Sequence, residues 1–183
     1  MKNLKISLAG DLGSGKSTVG AILAKKYSLE KVSIGQIQRD MATEMGMDTV
    51  AFNKYMESHP EYDKILDDKL REYEVKNGNY IFDSRLAWHF VPSSFSVYMT
   101  VNVEIAAKRI ISANRETEQY ASIEDAVKKL TSRRESESLR YKEFYGLDIT
   151  DLSNYKLVVN TDGQTPEQTA EEISIAFEKW LNT

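Results

Sequence analysis

Apolar residues along the chain fall into two kinds of segment. Short runs rich in Ile, Val and Phe occupy residues 4–9, 31–34, 80–83, 95–101 and 155–160, and runs of that length and composition predict strands. Between them the apolar positions recur three and four residues apart, as in Val19, Ile22, Leu23 and Lys26 within 16–27. Similar helical patterns cover 36–45, 49–57, 61–76 and 103–113, and the longest covers 123–145. Ser122, with Asp125 three residues on, can cap that long helix, and Gly146 can stop it. The last helix is announced by Thr165-Pro166-Glu167-Gln168, an N-cap, an N1 proline and an N3 glutamine.

Strand and helix alternate from end to end, which implies a parallel sheet covered on both faces. The expected class is therefore α/β, a three-layer α/β/α arrangement. With no internal repeat, low-complexity tract or Pro/Gly-rich linker, residues 1–183 read as one domain. Two connections exceed what a crossover needs. Residues of about 36–76 insert several helices between adjacent strands, and a polar, Arg-rich stretch from 114 precedes the last strand. Connections of that size usually carry function; here they would be a substrate-binding flap (about 36–76) and a lid (about 114–140).

Composition narrows this only a little. A formal net charge of −4 removes the global basic field that a polynucleotide binder carries, so a nucleic acid polymer is not an expected partner. The chain has no cysteine, which excludes disulfides and Cys-based metal sites. No apolar run approaches the roughly 18 residues of a membrane helix, and the first apolar run reads as a strand rather than a signal peptide. A cytoplasmic monomer acting on small molecules is the expectation.

The chemistry starts at Gly10-Asp11-Leu12-Gly13-Ser14-Gly15-Lys16-Ser17, followed by Thr18. This is G-x-x-x-x-G-K-[ST] placed after a strand and at the opening of a helix, the context the motif needs. The glycines let the backbone curl so that several N–H groups face one anion, and the helix N-terminus adds its dipole. Lys16 can reach the β- and γ-phosphates of a nucleoside triphosphate, and the Ser17 hydroxyl can ligate Mg²⁺. Asp11 reads as a structural loop residue. The only Asn-Lys pair, Asn53-Lys54, is followed by Tyr55-Met56, so the N-K-x-D base-recognition motif of a GTPase switch is missing. A chain of this length also lacks room for an ABC-type ATPase, which leaves a small kinase.

Phosphoryl transfer between two anions depends on positioning and charge neutralisation, so arginines should gather around the reacting groups. Arg85 lies just past the strand 80–83, at the sheet edge where ligands bind. Asp83 ends that strand and can hold Mg²⁺ through water, or simply cap a turn. Arg39 lies on the helix after the second strand, and Arg115 precedes the long helix. Arg134 continues the stripe Ile123, Val127, Leu130 towards the protein body, while Arg133 and Arg140 share another face seven residues apart. Either Arg133 or Arg134 can serve as the lid residue on this pattern; the second is the preferred expectation. His59 and His89 have no acidic partners at metal-ligand spacing and read as surface or core residues.

The ordered set of segments resembles a known family. Gly13 to Val19, Val32 to Arg39, Gly46-Met47-Asp48 with Phe52-Asn53, Asp83 to Ala87, Arg134 to Glu137, Arg140-Tyr141-Lys142, 145–149, Asp151-Leu152-Ser153 and the strand to Thr161 are together similar to the short, archaeal-type cytidylate kinases, within the P-loop nucleoside monophosphate kinases. The resemblance implies transfer of the γ-phosphoryl group of ATP to CMP or dCMP with Mg²⁺, on a five-stranded parallel sheet of order 2-3-1-4-5. It also implies that Arg39 and Arg85 hold the acceptor phosphate, and that Arg115, Arg134 and Arg140 close from the lid. Two segments depart from the family pattern: Asp83-Ser84-Arg85 stands in place of a usual Glu-Gly-Arg, and Trp88-His89 in place of a small residue with Gly. Ser84 and Trp88 would then bear on base choice. A kinase for another nucleotide or small metabolite, or a nucleotide-binding protein without turnover, are the alternatives.

Overall fold

The computed structural model describes residues 3–113 and 120–183. Strands β1 (Lys5–Gly10), β2 (Glu30–Ser33), β3 (Tyr80–Asp83), β4 (Phe95–Thr100) and β5 (Leu157–Asn160) form one sheet, and every neighbouring pair is parallel. The strand order is β2-β3-β1-β4-β5, as expected from the family resemblance. β1 lies at the centre, and all six of its residues are buried, because helices cover the sheet on both sides.

On one face Ile6 and Leu8 of β1 meet Val19 and Leu23 of α1 (Lys16–Tyr27) and Ile173 and Phe177 of α8 (Pro166–Leu181). On the other, Val32, Tyr80 and Phe82 pack with Leu70 of α4 (Glu61–Val75) and with Ala87 and Phe90 of α5 (Ala87–Phe90). Two smaller cores lie beside the sheet. Phe52, Met56, Ala42 and Leu66 join α2 (Ile34–Glu44), α3 (Thr49–Met56) and α4. Ala106, Ala107 and Ile110 of α6 (Val103–Ser112) seat Ala126 and Leu130 of α7 (Ile123–Tyr145).

The helix signals read from the chain operate as side-chain caps. Ser122 Oγ accepts from the Asp125 amide at 3.1 Å, Gly146 ends α7 in the left-handed conformation, and Thr165 with Gln168 closes a reciprocal capping box. Two short elements were not expected. α5 has only four residues, too few for a periodicity to register. A 3-10 turn at Leu152–Asn154, capped by Asp151, delays β5 until Leu157 rather than residue 155; Tyr155 instead packs with Ala9 and Tyr98.

Register brings the functional edge together. Asp83 lies opposite both Leu8 and Ser33, and Gly10 lies opposite Met99. Thus the chain leaving β1 curls over the same edge where β2 and β3 end. At Gly10 the backbone has φ +144°, and an added Cβ would sit 2.3 Å from the Met99 carbonyl oxygen. Gly10→Ala is therefore expected to cost at least about 3 kcal/mol, from the backbone conformation plus a clash with main chain that cannot swing aside. Gly46→Ala, also at positive φ but in open space, should cost only about 1–2 kcal/mol. Urea denaturation of the two variants checks this; equal losses would refute it.

Candidate active site

The loop between β1 and α1 encloses an anion site by its backbone. Gly15 is the N-cap of α1 and supplies no side-chain cap, and the first turn of α1 holds no acidic residue. Its leading N–H groups thus keep their affinity for negative charge. Gly13, at φ +79°, sits so close to α6 that a Cβ would lie 2.8 Å from that of Ala106, which fixes the loop against the neighbouring helix.

Lys16 folds over this loop. Its Nζ donates to the carbonyls of Gly10 at 3.0 Å and Asp11 at 2.7 Å. Burial, helped by the charge of Arg85, lowers its pKa to about 7, while Asp83, Glu137 and Asp11 act in the other direction. An ammonium in this position gains stabilisation from any anion that enters. Ser17 Oγ donates to Asp83 Oδ2 at 3.1 Å. These two oxygen ligands on adjacent elements suit a hard cation such as Mg²⁺, whose remaining positions are ordinarily filled by phosphate oxygens and water. Among the described residues no three His, Cys, Asp or Glu side chains cluster as a metal site of their own.

A cleft of about 230 Å³ opens from the loop towards α2, α4 and α7. Leu12, Gly13, Gly15, Lys16, Ser17 and Thr18 line its near end; Arg39, Asp83, Ser84 and Arg85 line its floor and side. Gly10 and Asp11 line a second cavity of about 220 Å³ behind the loop, and Ser14 is buried with its hydroxyl on the Asp11 carbonyl. Asp11 braces the loop from behind, as a structural residue does. Its carboxylate accepts from Tyr98 Oη at 2.9 Å and the Val101 amide at 3.1 Å, and pairs with Arg134 at 3.3 Å.

That contact separates the two lid candidates. The apolar stripe does aim Arg134 at the protein body, but there it meets Asp11 and lines the rear cavity. The cleft is lined instead by Arg133, Glu137, Arg140 and Tyr141, which share one face of α7 at helical spacing. Arg140 lies on that face, close to Asp63 of α4. Arg115 is outside the described residues. Arg39 is exposed and donates to Gln36 Oε1 at 2.7 Å. Trp88 lines neither cavity; it packs at 5.7 Å from the Tyr155 ring, which lies 4.9 Å from that of Tyr98. Ser84 does line the cleft, with Oγ accepting from the Leu86 amide.

Glu137 belongs to a segment that carries the family resemblance but has no role assigned from the sequence, where it is one charge among many on α7. Its carboxylate accepts from Arg85 Nε at 2.8 Å and Arg133 Nε at 3.1 Å, and Arg85 Nη1 also donates to the Gly10 carbonyl. Burial pushes the carboxyl up, but the two guanidinium groups outweigh it and hold it at about 2. The spacing Arg133, Glu137, Arg140 on a helix directly after a small core was the available signal. Asp63 and Asp67 were also missed. They are buried on α4 and line the cleft.

A central parallel sheet, a phosphate-binding loop after its first strand and a cleft lined by cations from three other elements define a P-loop kinase fold. The shikimate kinase of Bacteroides thetaiotaomicron has a similar fold, with TM-score 0.66 and 15% identity over 98% of this chain and 99% of that one. Sequence is more specific. Residues 5–163 match the cytidylate kinase-like family, and this chain belongs to it. It is 35% identical over 179 residues to a cytidylate kinase of Sulfurisphaera tokodaii, covering 97% of this chain and 94% of that protein. A cytidylate kinase of Methanocaldococcus jannaschii is 37% identical over 179 residues, covering 94% and 97%.

Glu137 should also carry measurable stability. Its pKa falls from the ordinary 4.5 to about 2 on folding, so the stabilisation is whole above pH 4.5 and is lost as pH drops towards 2. Glu137→Gln leaves two guanidinium groups short of their counter-ion and is expected to cost about 3 kcal/mol at pH 7. In denaturant titrations the gap from the parent protein should close between pH 4.5 and 2; a pH-independent gap would contradict the charge pairing.

Proposed function

We propose that the protein is a nucleoside monophosphate kinase that transfers the γ-phosphoryl group of ATP to CMP or dCMP, giving ADP and CDP or dCDP. The observation that carries this reading is one cleft lined both by the triphosphate loop and by arginines from the flap, the end of β3 and the lid helix. A triphosphate alone needs only the loop, whereas two phosphate groups brought together need cations on both sides. The cytidylate kinase relatives support the choice of acceptor.

In this reading the amides of residues 12–17 and Lys16 hold the β- and γ-phosphates. Ser17, and Asp83 through water, would hold Mg²⁺, which would supply screening of the phosphate charge. Arg39 and Arg85 receive the acceptor phosphate. An oxygen of that phosphate bonds to the γ-phosphorus as the bond to the β–γ bridging oxygen breaks, leaving ADP. The acceptor oxygen is already anionic, so a general base is not required. Arg133 approaches the reacting groups from α7, with Arg134 anchoring that helix to the loop and Arg115 joining from the lid, whereas Arg140, expected from the resemblance to join them, lies further along the helix beside Asp63. Residues 36–76 act as the flap and about 114–140 as the lid, whose closure excludes water and suppresses ATP hydrolysis. The protein acts as a cytoplasmic, single-domain monomer.

A coupled assay of ADP release across CMP, dCMP, UMP, AMP and shikimate tests the reading, with stimulation by CMP or dCMP expected; none from either would refute it. Lys16→Ala should lower kcat by about 10²–10³-fold, the effect of removing one strong stabiliser of transition-state charge, while its melting temperature stays near that of the parent. Full activity in that variant would remove the loop from the mechanism.

A further inference from the structure

The cleft is polarised. Lys16, Arg85 and Arg133 gather at its loop end, while α4 contributes two aspartates with no counterpart in the phosphate chemistry. Asp63 and Asp67 are each 6% exposed and lie one helical turn apart, on the same face. Asp67 accepts a hydrogen bond from Tyr145 Oη. Asp63 is less well served: its buried Oδ2 has no hydrogen-bond partner, and neither has the buried Nε of Arg140, 3.9 Å away. That separation exceeds hydrogen-bond length. A carboxylate left in this state bears the cost of desolvation without a donor in return.

We propose that Asp63, with Asp67 beside it, reads the base of the acceptor nucleotide by accepting hydrogen bonds from an exocyclic amino group. The proposal rests on the kinase reading above and deepens it. The ruler is α7: Arg133 meets Glu137 and Arg85 at the phosphate end, and Arg140 meets Asp63 about 10 Å further along the helix axis. A nucleotide with its phosphate on Arg85 therefore carries its base towards the acidic end.

The chemistry there selects the base. An ionised carboxylate only accepts, and a guanidinium only donates. The amino group of cytosine offers two N–H donors for two neighbouring carboxylates, and its ring nitrogen and carbonyl accept from Arg140. Uracil has a single ring N–H between two carbonyls, so one carboxylate stays unpaired and a carbonyl oxygen faces it. Sites built around such hydrogen bonds reject analogues that lack them far more strongly than apolar pockets reject a misfit.

The test is the ratio of kcat/KM for CMP to that for UMP, in the parent protein and in Asp63→Asn, with melting temperature and KM for ATP measured alongside. An amide replaces an acceptor by a donor, which suits the uracil carbonyl. The ratio is expected to fall by about 10-fold or more, the equivalent of one lost hydrogen bond to a charged group. CMP should lose efficiency, UMP should hold or gain, and KM for ATP should stay constant. Equal losses for both acceptors with an unchanged ratio would overturn the proposal and leave the kinase reading intact. A parent protein that transfers to neither acceptor, or to both equally well, would overturn the kinase or acceptor reading and this proposal with it. If Asp63→Asn does not fold, Asp67→Asn decides: a lowered ratio supports the proposal and an unchanged one overturns it.

Discussion

The carboxylate of Glu137, held between Arg85 and Arg133, is the contact on which the site's geometry depends. It joins a helix that lies outside the sheet to the end of β3, and Arg85 carries the link on to the Gly10 carbonyl at the start of the loop. Three separate pieces of chain are thereby fixed around one buried charge cluster. Without the carboxylate, two guanidinium groups beside Lys16 would repel one another in a poorly solvated space, and Lys16 already loses proton affinity to Arg85. The cationic surface that phosphate chemistry demands is thus assembled with an internal anion to hold it.

The same reasoning separates what the chain showed in advance from what it did not. Strands and helices of the sheet were legible because burial on both faces gives continuous apolar runs, and helix burial gives a three-four spacing. Caps at Ser122, Thr165 and Gly146 were legible because they are local. The loop from Gly10 to Ser17 was legible because backbone geometry dictates its residues. The cleft-facing side of α7 was not. Arg133 and Arg134 differ by one position, and which of them meets the cleft depends on the rotation of α7 about Leu130 and Ala126 in a packed core. Asp63 and Asp67 sit among Lys64, Asp68 and Lys69, and look like a solvated helix face until α7 closes over them. Trp88, expected from the resemblance to bear on base choice, lines neither cavity because α5 turns it towards Tyr155.

The two cavities divide labour in a way that follows from the central position of β1. The front cleft is lined by Lys16, Ser17, Asp83 and Arg133, whereas the second cavity is bounded by Asp11, Tyr98, Val101 and Arg134. Behind the loop, Tyr98, with its hydroxyl pushed up to about 12 by burial and by Asp11, serves as a donor throughout the physiological range. Asp11 is therefore held by a tyrosine that stays protonated, while Lys16, on the same loop, has its pKa lowered to about 7 by burial.

That rear support has a practical consequence. The protein has two tryptophans, and one of them, Trp88, ends a row of contacts running through Tyr155 and Tyr98 to Asp11 and Arg134. Its indole nitrogen is buried, and its ring packs edge-on against Tyr155. A native indole thus stands at the end of the contacts that join α7 to the phosphate loop, and the other, Trp180, lies on α8 against Phe95 and Phe177.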